Sequence, residues 1–201
     1  MPSHYFDPAP SSASSPRCVD LVLDDLTLSL ATDSGVFSGG RVDPGTKLLL
    51  QEAPRPPAEG NLLDLGCGYG PITVALARRA PGASVWGLDV NSRAVELTRR
   101  NAASAAAGNV VAMTPADMAE DLRFVAMYSN PPIRIGKHLL RQMLDTWLPR
   151  SEVSYLVVHK NLGSDSLASW MSDERGWAVE RLVSRLGYRI LTIHPPPNTR
   201  T

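Results

Sequence analysis

With 201 residues, 20 Lys+Arg against 20 Asp+Glu and 43% hydrophobic residues, the chain is long enough to bury a full core unaided. It is too evenly charged to draw nucleic acid by global attraction, so any such binding must come from a local basic patch. The two cysteines, Cys18 and Cys67, argue against a disulfide framework and for a reducing interior. With no apolar run of membrane-span length and no signal-peptide pattern, the cytoplasm is the expected location.

Behind the start His4-Tyr5-Phe6, residues 7–17 (DPAPSSASSPR) carry too little apolar area to order themselves, and a flexible segment is expected there. CVDLVLDDLTLSLAT alternates apolar and polar residues around Asp24-Asp25, the pattern of a β-hairpin. Residues 1–35 therefore read as an N-terminal extension and 36–201 as the main domain. VDPGTKLLLQEA predicts a turn at Pro44-Gly45 feeding a helix, with Thr46 as the candidate N-cap. From Asn61 onward, NLLDLG, SVWGLD, NVVAMT, FVAMYSN and SYLVVH alternate with ITVALARRA, SRAVELTRRNAASAAA and KHLLRQMLDTWL. Strands alternating with helices predict βαβ units and a parallel sheet. A further helix is expected around 164–174, then an antiparallel hairpin turning near Leu186-Gly187. The tail PPPNTRT is expected to be disordered.

The first of these strands runs into Gly66, Gly68 and Gly70, with Pro71 at a plausible first helical position. Glycines at such a junction let the backbone turn tightly and approach a ligand closely. Asp64 lies just before the loop, and Asp89 ends the next strand. In a doubly wound sheet these strands are neighbours, which places the Asp89 carboxylate within reach of ribose hydroxyls and points to a nucleoside-containing cofactor. DLGCGYG departs from the dinucleotide spacing G-x-G-x-x-G and resembles the first motif of class I S-adenosylmethionine (SAM) methyltransferases. Asp117 keeps two readings, a capping box with Glu120 or a contact to the cofactor's adenine. Cys67 reads as a small loop residue, not a nucleophile.

Asn130-Pro131-Pro132 ends the fourth regular strand beside the same crevice. A nucleobase amine is a poor nucleophile because its lone pair is delocalised into the ring. Two acceptors on its two hydrogens would let it pyramidalise, and the Asn130 side-chain oxygen and the Pro131 carbonyl are the candidates. The prolines hold the preceding residues extended and remove two N–H donors from the site. After them, Arg134, Lys137, His138 and Arg141 form a local basic cluster in which Lys137 and Arg141 share a helix face. It reads either as a phosphate grip or as a solvated helix start. Lys160 is a further candidate at the same sheet edge, with an ordinary loop lysine as the alternative.

FSGGRVDPGTKLLL, DLGCGYGPI, LDVNSRAVEL and SNPPIRIGK together resemble the RsmC-type small-subunit ribosomal RNA guanine-N2 methyltransferase family, from about Val36 to the end. The resemblance implies a Rossmann-like class I methyltransferase fold: an α/β, doubly wound, mostly parallel seven-stranded sheet with a C-terminal antiparallel hairpin, here with a small N-terminal β-hairpin extension. It implies SAM as methyl donor and S-adenosylhomocysteine as product. Asn130, Pro131, Pro132 and Ile133 match the catalytic loop. Asp64, Gly66, Cys67, Gly68, Gly70, Asp89, Val90, Asn91, Asp117 and Asn130 match cofactor positions. Phe37, Asp43, Gly45 and Thr46 resemble positions lining the substrate side, with capping and turn formation as alternatives for the last three. Relatives acting on adenine or glutamine usually carry an aromatic residue after the prolines, and Ile133 fits the guanine branch better. Longer members duplicate the domain, whereas this chain has one copy, and Val125 replaces an Asp common in the strand before the loop. The expected partner is ribosomal RNA or the small subunit, with no membrane, metal or obligate protein partner. Methylation of RNA adenine or protein glutamine, or a non-catalytic SAM- or RNA-binding module, are the competing readings.

Overall fold

The computed structural model describes residues 14–36 and 40–196. The expectations for His4-Tyr5-Phe6, for residues 7–13 and for the end of the tail therefore lie outside the described residues, as does Phe37. The hairpin forms as its alternation predicts, β1 Arg17–Val22 against β2 Thr27–Thr32, closed by backbone hydrogen bonds between Leu23 and Leu26. The stretch just before β1 is not loose: the Ser14 hydroxyl donates to Asp33 at 2.7 Å and the Ser15 N–H to the same carboxylate, so order begins inside the segment expected to be flexible.

Helix α1 spans Pro44–Glu52. Its cap is Asp43, not Thr46: the Asp43 carboxylate accepts from the N–H groups of Gly45 and Thr46, and Pro44 takes the first helical position, where no N–H is needed. Then follow β3 Glu59–Leu65, α2 Pro71–Arg79, β4 Gly82–Leu88, α3 Ser92–Ser104, β5 Val110–Met113, β6 Ala126–Ser129, α4 Lys137–Trp147, β7 Ser154–His159 and the short α5 Ser164–Ser169, continued by a π turn over Trp170–Glu174. The closing hairpin is β8 Ala178–Arg185 and β9 Tyr188–His194. The sheet order is β5-β4-β3-β6-β7-β9-β8, parallel except at β9, with Leu186 and Gly187 in left-handed conformation at the hairpin turn.

Alternation along the strands splits the core. Leu62, Ala126 and Tyr128 pack with α1, α2, α3 and the inward side of the N-terminal hairpin. Leu63, Leu65, Met127 and Leu156 pack with α4, Trp170 and Trp177 on the other face. The chain runs outward from β3 in one direction and from β6 in the other. The crevice at the carboxyl ends of these two neighbours, where open α/β sheets bind ligands, therefore receives the glycine loop and the Asn-Pro-Pro turn together.

Candidate active site

Asp64 shares the face of β3 with Leu62 and is fully buried against α2. One carboxylate oxygen accepts from the Thr73 N–H at 2.9 Å and the Thr73 hydroxyl at 2.5 Å; the other has no partner among the described residues. Burial pushes its carboxyl up to about 7, against the pull of the Thr73 hydrogen bonds and with a further push from Asp89. Beyond it the loop turns through Gly66, Gly68 and Gly70. Gly68 sits at φ +58° with open space where a Cβ would stand, so a ligand can approach its backbone. Gly70, at φ +90°, lies so close to Thr98 that a Cβ would come within 2.9 Å of the hydroxyl. The Cys67 thiol is buried and pushed up by desolvation, which suits a filler and not a nucleophile.

Asp89, at the end of β4, accepts from the Gly68 N–H on one oxygen and the Asn91 N–H on the other, both at 2.9 Å, with the Val90 N–H also directed at the carboxylate, which keeps accepting capacity for a ligand. Burial raises its carboxyl above the usual range, opposed by those hydrogen bonds. It opens onto a cleft of about 260 Å³ whose lining includes Gly66, Val90, Pro115, Pro132 and Met143. Apolar walls with one carboxylate at the edge suit a nucleoside: base between the side chains, ribose on Asp89. The Asp89 carboxylate, the apolar walls and the open backbone at Gly68 are what the residues present offer SAM, and they fit its nucleoside part. Asn91 is engaged elsewhere, capping α3 and donating to the Gly35 carbonyl. Asp117 forms no capping box, because no helix begins there; it closes the short turn Pro115–Asp117 and accepts from the Thr114 hydroxyl at 2.6 Å.

On the other side of the crevice, the Ser129 hydroxyl ties the end of β6 to the Leu65 carbonyl at 2.7 Å. The Asn130 amide group donates to Asp43 Oδ1 at 2.8 Å and to Thr46 Oγ1 at 3.0 Å. An amide with both hydrogens so engaged has its orientation fixed, and its own oxygen has no partner among the described residues, so it can accept. Pro132, at φ −74° and ψ 72°, forms an inverse γ-turn in which the Ile133 N–H donates to the Pro131 carbonyl at 2.8 Å, leaving that oxygen one lone pair. Asp43 and Thr46, expected to line the substrate side, thus turn toward Asn130. Gly45 is buried beneath Tyr188, whose ring a Cβ would meet at 2.7 Å. Tyr188 stands edge-on to its strand partner His159, 4.9 Å between centroids, and its phenol is raised by burial and by the Asp43 carboxylate. Tyr188 and Thr73 were not legible as site residues, since only the β7–β9 register and the β3–α2 packing bring them in.

The basic cluster divides. Lys137 is exposed at the start of α4. Arg141 is drawn onto the Trp170 ring, 5.0 Å from its centroid, and pairs with Glu174 at 3.6 Å, so much of its charge is met within the fold. The Arg134 side chain lies outside the described residues. Lys160 is exposed in the short turn after β7.

The family model described as methyltransferase small domain matches residues 27–164. The uncharacterized protein YbxB of Bacillus subtilis is 34% identical over 198 residues, 95% of this chain and 98% of that protein. Ribosomal RNA small subunit methyltransferase C of Pseudomonas putida is 38% identical over 135 residues, 67% of this chain but 40% of that protein, so the chain spans about two fifths of this longer relative. Among solved structures, the 16S rRNA N2 methyltransferase RsmC of T. thermophilus, in complex with AdoMet and guanosine, superposes with a TM-score of 0.73 at 25% identity, over 93% of this chain and 52% of that one.

Proposed function

The chain belongs to the methyltransferase small domain family, is RsmC-like and uses SAM as its cofactor; on that premise we propose that it methylates the exocyclic N2 amine of a guanine in small-subunit ribosomal RNA, in the cytoplasm and without an obligate protein partner. The observation that carries the proposal is the Asn130 amide, held by Asp43 and Thr46 so that its oxygen is the group left to accept from an amine.

Bound SAM supplies an electrophilic methyl on sulfur. Asp89 would hold the ribose, Val90 and Pro115 the base, and the open Gly68 backbone the amino-acid end, with the buried Asp64 fixing the loop from below through Thr73. Across the crevice, Asn130 Oδ1 and the Pro131 carbonyl accept the two hydrogens of the guanine amine and draw its lone pair out of the ring plane toward the methyl. Held this way the amine nitrogen would face the methyl that SAM supplies, and its surplus proton would leave to solvent. The two acceptors act through preorganisation, since neither has to reorient during transfer. A paired guanine hides this amine, so the substrate is an open or flipped-out nucleotide. Ile133 and the activity named for the T. thermophilus RsmC structure favour guanine over adenine.

The test is to incubate the protein with methyl-labelled SAM and separate RNA and protein fractions from small subunits. Label is expected in RNA, as N2-methylguanosine. Label confined to protein would overturn the proposal.

A further inference from the structure

Beside the catalytic turn lies a second cleft, of about 180 Å³, that serves neither the cofactor nor Asn130. Ile133 and the buried Leu140 and Leu167 line it, Leu162 contributes a 49% exposed side chain, and Ser166 is exposed on α5. Gly136 and Gly163 also line it, both at positive φ, and a Cβ on either would meet nothing within 4 Å, so the space beside them is open. Lys137 is its free cation among the described residues: Arg141 is taken by Trp170 and Glu174, and no carboxylate lines the cleft.

We propose that this cleft receives the base of a nucleotide adjacent to the methylated guanine, with Lys137 meeting the intervening phosphate; the inference rests on the reading of the substrate as RNA. Three observations favour it. Ile133 both follows the Asn-Pro-Pro segment and lines the cleft, so a strand that places one base at Asn130 passes its neighbour over Ile133. The volume suits one flat ring system, since an apolar cavity of about 150 Å³ accepts a benzene ring. Apolar walls with a cation and no acid match a base joined to a phosphate. Splaying the target base out removes a stacking partner from its neighbour, and Leu162 with Ile133 would supply a replacement surface. An apolar protein side chain could use the walls but would leave Lys137 without a role.

Two surface variants test the cleft without touching Asn130 or Asp89. Ser166→Phe fills it from an exposed position, and Leu162→Ala removes its half-exposed leucine. Fluorescence anisotropy of a labelled, guanine-containing single-stranded RNA, in the presence of S-adenosylhomocysteine, reads the cleft without turnover. Labelled methyl transfer to the same RNA reads it in the reaction. Both variants are expected to weaken RNA binding and raise the KM for RNA about five-fold, with unchanged melting temperature and S-adenosylhomocysteine affinity. Variants that bind RNA as tightly as wild type would overturn the subsite. A wild-type protein that binds RNA through the cleft but leaves its guanines unmethylated would overturn the proposed reaction and keep the subsite. One that binds no RNA would overturn both.

Discussion

Asp43 Oδ1 accepts a hydrogen bond from the side-chain amide of Asn130 at 2.8 Å, across 87 residues of sequence, while the same oxygen caps helix α1. One carboxylate oxygen thus joins the segment before α1 to the Asn-Pro-Pro turn and decides which face of the Asn130 amide is left for substrate.

Asp43→Asn retains a cap of equal quality but offers donors as well as acceptors, so the Asn130 amide is free to turn over. Its kcat is expected to fall about ten-fold or more, with KM for SAM and melting temperature near wild type. Thr46→Val, which removes the other acceptor, should behave alike, and Thr46→Ser should restore the rate. A purely structural role for these residues would lower the melting temperature and leave kcat per folded molecule unchanged.

Burial raises the Asp64 carboxyl to about 7, from 3.8 in the unfolded chain, so between roughly pH 4 and pH 7 the native state binds more protons at this site. Its stabilising share is complete below the unfolded value and declines as pH rises toward the folded one. Urea titrations of wild type and Asp64→Asn at pH 4.5 and 7.5 should show wild type losing stability relative to the variant at the higher pH. A gap independent of pH would mean the carboxylate is better solvated than its packing indicates.

Asp25 at the hairpin turn grips Arg79 at the end of α2 through two hydrogen bonds, 3.0 Å to Nε and 2.8 Å from Nη2, with Arg55 on the same carboxylate. The Arg79 side chain is only 8% exposed and also donates to the Leu50 carbonyl. Asp25→Ala is expected to cost about 1–3 kcal/mol by leaving a largely buried guanidinium under-paired, read as a lower melting temperature. Because Arg79 and Arg55 hold the Asp25 carboxyl below its ordinary range, its contribution is present above the ordinary value of 3.8 and lost as pH falls below it.

The strands, helices and glycine loop were legible because periodicity, turn residues and motif spacing are local properties. Pro71 at the start of α2 and the turn at Leu186-Gly187 stand where these signals put them. The cap of α1 is legible too: Pro44 suits the first helical position and so points to Asp43, one residue before it, in place of Thr46. Other features depend on tertiary packing: Trp170 and Glu174 draw Arg141 onto α5 and the turn after it, register alone brings Tyr188 over Gly45, and the absence of a following helix removes the capping reading of Asp117.

Nucleoside mass analysis of small-subunit RNA after incubation with SAM, comparing wild type with Asn130→Ala, tests the central claim most directly. Wild type is expected to yield N2-methylguanosine, and Asn130→Ala to form it about a hundred-fold more slowly while binding SAM with similar affinity. Methylguanosine formed equally fast by the variant, or methyl found on another nucleoside, would contradict it.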